Sequence, residues 1–292
     1  MSDTQMSEAS HFARQAWALL EPYHALIYFA PEAREAYASI GLKGFWMGYF
    51  ASRSAALGAV SSSVVAATFF NFHPQMVVRA IPDAWRFASP TTILAARYKS
   101  ADAALQRLLG DVINSQEITE AADLAQRTVE GCAVAGRPLF AAHLDLPWPD
   151  EPHLRLWHAA TLLREFRGDG HVAALLSEGI DGCEAHLTLV ATGQVSRDTL
   201  QANRGWTDDD WHAAQQRLIE RGWLDASGAL TAQGNAKRQA IEERTDQLSL
   251  PPWEHLGEPQ CNRLFTLMKP ISTQIVAQGG IPIPNPMGVP AP

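Results

Sequence analysis

Cysteine is scarce. Cys132, Cys183 and Cys261 are the only three, scattered and odd in number, which excludes a disulfide framework and a thiolate zinc cluster. Long apolar runs are also missing. The most apolar window, Phe45 to Phe72, is broken by Arg53, Gly58 and the Ser61-Ser62-Ser63 triplet, so it lacks the ~20 unbroken apolar residues of a membrane span. From Met1 to Ser10 there is neither a basic n-region nor an apolar h-region, so no export signal is read and a cytoplasmic location is expected. Positive charge is short as well. Against 31 Asp and Glu stand 23 Lys and Arg, a net charge of -8, which argues against a protein that lives on phosphate backbones or anionic membranes. Neither nucleic acid nor membrane is the expected partner.

Motifs of well-known chemistry are absent too. There is no His-Glu-x-x-His, no Cys-x-x-Cys and no EF-hand loop, so no metal centre is expected from a motif. Gly168-Asp169-Gly170 lacks the third glycine and the preceding strand of a dinucleotide fingerprint, and no Gly-Lys-Ser/Thr loop or Gly-x-Ser-x-Gly elbow occurs. Cofactor enzymes with motifs of this kind are thereby excluded.

What the chain does have is enough apolar material, 47% of 292 residues, to build a globular protein of about two domains. It also repeats itself. Gly41-Leu42-Lys43-Gly44 returns as Gly179-Ile180-Asp181-Gly182 after 138 positions. Trp17 and Trp157 lie 140 apart, Ala95-Ala96-Arg97 and Ala236-Lys237-Arg238 141 apart, and Gly136-Arg137-Pro138 and Gly280-Ile281-Pro282 144 apart. The steady drift reads as a tandem duplication with small loop insertions. Residues 1–10 are expected as a disordered tail, 11–150 as the first copy and 151–292 as the second, with proline-rich extended arms over Pro138–Pro152 and Pro282–Pro292.

The second half is the easier to read. A helix from His153 to Phe166 is followed by a turn at Arg167-Gly168-Asp169-Gly170, where Asp169 is expected to cap a helix from His171 to Ser177. Another helix follows Gly182. Thr207 and Asp210 form a capping pattern for a helix to Glu220, stopped by Gly222. Trp223 to Thr231 reads as a small β-hairpin and Ala232 to Leu248 as a closing helix. This order is that of a winged helix-turn-helix, with 222–231 as its wing. With Phe69-Phe70-Asn71-Phe72-His73-Pro74 and Arg164-Glu165-Phe166-Arg167-Gly168-Asp169-Gly170-His171, the chain resembles over nearly its full length a helix-turn-helix family of actinobacterial proteins without an established activity. The expected fold class is therefore mainly α, a tandem duplication of winged-helix-like units with small β-hairpin wings and proline-rich arms.

Function is less legible. A recognition helix wants Arg, Lys, Asn or Gln at the end that enters the major groove, yet this one begins Asp208-Asp209-Asp210. DNA binding by a dimer with a basic face from Arg197, Arg204 and Arg217 stays open as a ligand-responsive transcriptional regulator. The other reading is a small-molecule-binding protein or enzyme. Polar residues stand among aromatics in the first half, and a core seldom wants so many without partners. His24, Tyr28, Tyr49, Arg53, Phe69, Asn71, Phe72 and His73 are therefore read as one pocket for a planar or acidic ligand. His24 and His73 are its candidate acid/base residues or donors, and Arg53 its counter-charge. Haem or another tetrapyrrole fits that description, as does any flat acid. Arg164, Arg167 and His171 are expected to close the pocket around an anion held at a helix start.

Overall fold

Proline fixes φ and lacks only an amide that the first turn of a helix leaves unused. Pro31, Pro74, Pro90, Pro138, Pro152, Pro251 and Pro259 each stand in the first two positions of a helix. Two of these prolines correct the sequence reading. Pro138 and Pro152 begin helices instead of bounding an extended arm, and the final segment from Pro282 has neither helix nor strand and folds into a turn at Asn285–Val289, where the Gly288 amide donates to the Asn285 carbonyl at 3.1 Å.

The structure, a computed structural model, describes residues 3–292, with side chains from Phe12 onward. Its helices are α1 (Asp3–Ala25), α2 (Pro31–Ser39), α3 (Gly44–Ser54), α4 (Ser62–Phe69), α5 (Pro74–Val78), α6 (Ala84–Phe87), α7 (Pro90–Leu109) and α8 (Gln116–Val129). Then come α9 (Pro138–Leu144), α10 (Pro152–Ser177), α11 (Gly182–Val190), α12 (Arg197–Arg204), α13 (Asp208–Glu220), α14 (Ala232–Leu248), α15 (Pro251–Leu256) and α16 (Glu258–Ala277). The disordered tail expected over 1–10 falls on Met1 and Ser2, which lie outside the described residues, and on the first turns of α1.

Apolar side chains sort into two cores. The larger one, with Leu26, Phe50, Leu105, Ile118, Trp157 and Leu264, joins α1 to α9, the first part of α10, and α15 and α16. The smaller one, with Leu175, Leu187, Trp211, Leu218, Trp223 and Ile241, joins the end of α10 to α11, α13 and α14. The chain leaves the helical body after Phe166, builds a small module, and rejoins the body at Leu250. Long α10 belongs to both and packs on α1, α7, α8, α9 and α14.

The expected hairpin wings do not form. Among the described residues there is no strand and no sheet, and Trp223–Thr231 contributes one isolated antiparallel bridge, Leu224 with Leu230. The reason is room. Gly222, at φ 73°, ends the approach from α13, and Thr231 already caps α14. Between them Asp225 holds a tight turn, its carboxylate accepting from the Ser227 and Ala229 amides at 2.8 and 3.1 Å, so one residue pair is left to bridge. At the matching offset in the first half, residues 82–92 carry α6 and the start of α7 instead of a wing.

The expected turn at Arg167–Gly170 is corrected as well, because α10 runs through it unbroken. Each helical glycine costs about 1 kcal/mol relative to alanine. Here the missing side chain makes room: a Cβ on Gly170 would lie 2.7 Å from Arg137 Nη1. The Arg137 guanidinium stacks on Phe166 at 3.6 Å and donates to the Phe166 and Leu248 carbonyls, fastening α10 to α14. Asp169 caps no helix of its own. It accepts from the Leu139 and Phe140 amides, both at 3.0 Å, and so caps α9 from across the body.

The module docks on the loop after α4. Phe70, at φ 45°, is the one non-glycine residue among those described with positive φ, a conformation that stores on the order of 1–3 kcal/mol. In return its ring reaches the small core. The Asn71 carbonyl accepts from Trp206 Nε1 at 3.0 Å and His186 Nε2 at 2.9 Å, and the His73 amide donates to the Arg204 carbonyl at 2.9 Å. Gly182 must stay small at this seam, since a Cβ there would lie 2.3 Å from the Phe70 carbonyl oxygen. Gly182→Ala is expected to cost about 1–3 kcal/mol, because backbone has to move. It should also quicken hydrogen exchange in α11 to α13 before the body is affected, and unchanged exchange there would count against this docking.

Candidate ligand-binding cleft

The residues singled out from the sequence separate into three places. His24, Tyr28, Tyr49, Arg53, Phe69 and Phe72 lie in the body core. His24 donates from Nδ1 to Thr161 Oγ1 at 3.0 Å, since the Thr161 hydroxyl itself donates to the Trp157 carbonyl, and His24 Nε2 then accepts from Tyr28 Oη at 2.8 Å. Both nitrogens are engaged, which leaves no lone pair for an iron. Burial, reinforced by Arg164, pushes the imidazole well below its ordinary pKa and keeps it neutral. The rings of Tyr49, Phe50, Phe69 and Phe72 pack on one another with centroids 5.0 to 6.5 Å apart.

His73 stands elsewhere. It caps α5, its Nδ1 accepting from the Gln75 amide at 3.1 Å, and its Nε2 lies 3.5 Å from Asp210 at the seam with the module. It shares no partner with His24.

The third group, Asn71, Arg164, Arg167 and His171, lines a cleft of about 640 Å³ between body and module. With α10 continuous, Arg164, Arg167 and His171 stand three and four residues apart and share one face. The facing wall is a polar stripe of α14, Asn235, Arg238, Glu242 and Asp246, at the same helical spacing. Arg14 and Trp17 of α1 and Arg204 of α12 complete it.

Charge organises the walls. Arg14 donates to Glu242 at 2.7 Å and Asp246 at 2.9 Å, and Arg167 pairs with Asp246 at 2.8 Å. Both guanidiniums also lie over the Trp17 ring, 5.7 and 5.6 Å from its centroid. Arg164 donates to Glu165 at 2.6 Å, and Glu165 also accepts from Arg53 at 3.1 Å. Burial alone would raise the Glu165 carboxyl, but Arg164 and Arg53 outweigh it and hold the group far below the usual carboxylate range. Glu21, also buried in the cleft wall, is the opposite case. Burial raises its carboxyl and Arg164, 3.6 Å away, only partly opposes that. His171 donates from Nδ1 to Thr245 Oγ1 at 2.9 Å, because the Thr245 hydroxyl donates to the Ile241 carbonyl. Burial lowers the His171 pKa to about 4, so a neutral ring with Nε2 as an acceptor lines the cleft.

Glu21, Glu165, Arg14 and Arg238 were missed as site residues, and in the sequence Arg204 reads only as part of a DNA-binding face. Glu165 stood inside the motif Arg164 to His171 and would have emerged from a continuous helical reading of it. The others are brought in by helices far apart in sequence and left no local signal. A family model described as a helix-turn-helix family matches residues 13–282. No curated protein and no solved structure matches the chain.

Proposed function

The chain belongs to the helix-turn-helix family across residues 13–282, and on that premise we propose that its helix-turn-helix module walls a binding cleft for a small acidic molecule. The observation that supports this reading is the cleft itself, about 640 Å³ with Arg14, Arg164, Arg167, Arg204 and Arg238 in its walls. That volume suits a metabolite-sized ligand, and guanidiniums hold carboxylate or phosphate through forked hydrogen bonds.

The module's outward face supports the same reading. Asp208, with a side chain 87% exposed, and exposed Asp209 begin α13 where a DNA reader would present donors. Arg197 is held by Asp208 at 2.7 Å, and Arg217 by Asp181 at 2.6 Å and Glu184 at 2.8 Å. Arg221 is occupied with the Gly179 and Glu178 carbonyls. Few cations are left for phosphates. A second reading, a ligand-responsive regulator that binds DNA as a dimer, is favoured by the α12–α13 pair itself.

One preparation tests both. Native mass spectrometry of the freshly purified chain is expected to find a small acid bound, and duplex DNA is expected to give no complex that survives physiological salt. A bare intact mass, with a strongly salt-dependent DNA complex weakened by Arg217→Gln, would establish the regulator instead.

A further inference from the structure

The arginines of the cleft are unequally provided for. Along α14 each cation has its acid: Arg14 and Arg238 face Glu242, and Arg14 and Arg167 face Asp246. Arg204 has none. It donates to the Asn203 carbonyl at 3.0 Å and the Pro286 carbonyl at 3.2 Å, its Nε is buried without an acceptor, and its guanidinium lies 4.7 Å over the Phe72 ring. Burial drives the Arg204 pKa down, and the nearby Arg53 and Arg164 push the same way. Arg164 shares Glu165 with Arg53 and lies 3.6 Å from Glu21, whose carboxyl burial raises. In this corner three guanidiniums, Arg53, Arg164 and Arg204, stand near two carboxyls, Glu165 and Glu21, and Arg204 pairs with neither. Arginine does not shed its proton to escape such a situation, so the imbalance calls for an anion.

Resting on the reading of the cleft as a ligand site, we propose that the ligand carries a single anionic head, phosphate or carboxylate, seated between Arg164 and Arg204. The Asn71 side chain lines the same cleft with its oxygen buried and unpartnered, an acceptor that suits a hydroxyl or amide donor on the uncharged part of the ligand and not the anionic head. The rest of the ligand is uncharged and hydrogen-bonding, and lies along the charge-balanced wall of α14. A polyanion is disfavoured, because a second negative group would meet Glu242 and Asp246 with their cations already paired. Pro286, Met287 and Gly288 of the final segment border the cleft, so a head that takes Arg204 competes with the Pro286 carbonyl for it.

The test is calorimetric titration of the full chain with inorganic phosphate and, separately, with acetate at matched ionic strength. The probe that binds saturably identifies the head. Arg204→Gln should weaken it about tenfold or more, as expected for a lost charge-assisted hydrogen bond, while Arg204→Lys retains part of the affinity. Lys237→Gln, which removes a cation that is paired with Glu178 at 2.8 Å and does not line the cleft, should leave head affinity within about twofold on the same principle. Equal losses in Arg204→Gln and Lys237→Gln, or none in either, overturn the assignment as diffuse attraction. Failure of both probes to bind also overturns it. The two readings separate in native mass spectra. A molecule that co-purifies equally with wild type and Arg204→Gln leaves the cleft reading standing and removes the corner, and a bare chain that binds neither probe removes both.

Discussion

Lowering the pH from 7 to 5 is expected to unfold most of the protein. Burial pushes the pKa values of His143 and His171 to about 4 and those of His158 and His186 to about 3, and it lowers His24 in the same direction. In the unfolded chain histidine titrates near 6.5. The folded state thus binds fewer protons than the unfolded one below that pH. The stability held in these neutral rings is whole above pH about 6.5 and is lost as the pH falls toward the folded values. At pH 5 each of the four histidines with a defined value would have withdrawn about 2 kcal/mol, against a total stability of about 5–15 kcal/mol. Asp169, raised to about 6 by burial, and Glu21, raised likewise, take up protons more readily when folded and offset part of the loss. Circular dichroism melts at pH 7, 6 and 5 measure the effect. His158→Phe, which cannot take a proton, should shift the acid midpoint downward although it gives up the 2.7 Å contact with Tyr98. A melting temperature that stays flat from pH 7 to 5 would show that these rings are not held neutral in the folded protein.

Glu165→Gln is expected to be the most damaging isosteric substitution in the body. It would leave Arg53, with a side chain 5% exposed, and Arg164 without the carboxylate they share. Breaking a buried pair from one side costs about 3–5 kcal/mol. For a chain of this size that lowers the melting temperature by on the order of 10 °C. The double variant Arg53→Met with Glu165→Leu removes both charges, leaves Arg164 beside Glu21, and should recover a good part of the loss. Urea unfolding of the three proteins is the measurement. If Glu165→Gln lies within about 1 kcal/mol of wild type, water or another group has taken over the role of the carboxylate, and the closed Arg53–Glu165–Arg164 network is wrong.

Local chemistry in the sequence determined much of the helical framework. Thr207 and Asp210 form a reciprocal cap at the start of α13, the Asp210 amide donating to Thr207 Oγ1 at 3.2 Å and the Thr207 amide to Asp210 Oδ2 at 2.9 Å. The bounds of α14, Ala232 to Leu248, also agree with the sequence reading, since Thr231 is a cap that needs no distant partner. Such signals act within one helical turn, which is why they are readable in a linear chain. Tertiary packing decided the rest. Whether α10 breaks at Gly168-Asp169-Gly170 depends on the Arg137 guanidinium arriving from 33 positions before Gly170, a contact large enough to outweigh the local cost of two glycines. Whether His24, Tyr28, Arg53 and the aromatics line a cavity or fill a core is a question of volume. Their residue types are the same in both cases, and packing answers it by closing ring on ring. The cleft exists because α10 and α14, more than fifty residues apart, turn polar stripes toward each other. No local pattern could announce that pairing, because the counter-charge of each arginine is chosen by the fold and not by its neighbours in the chain.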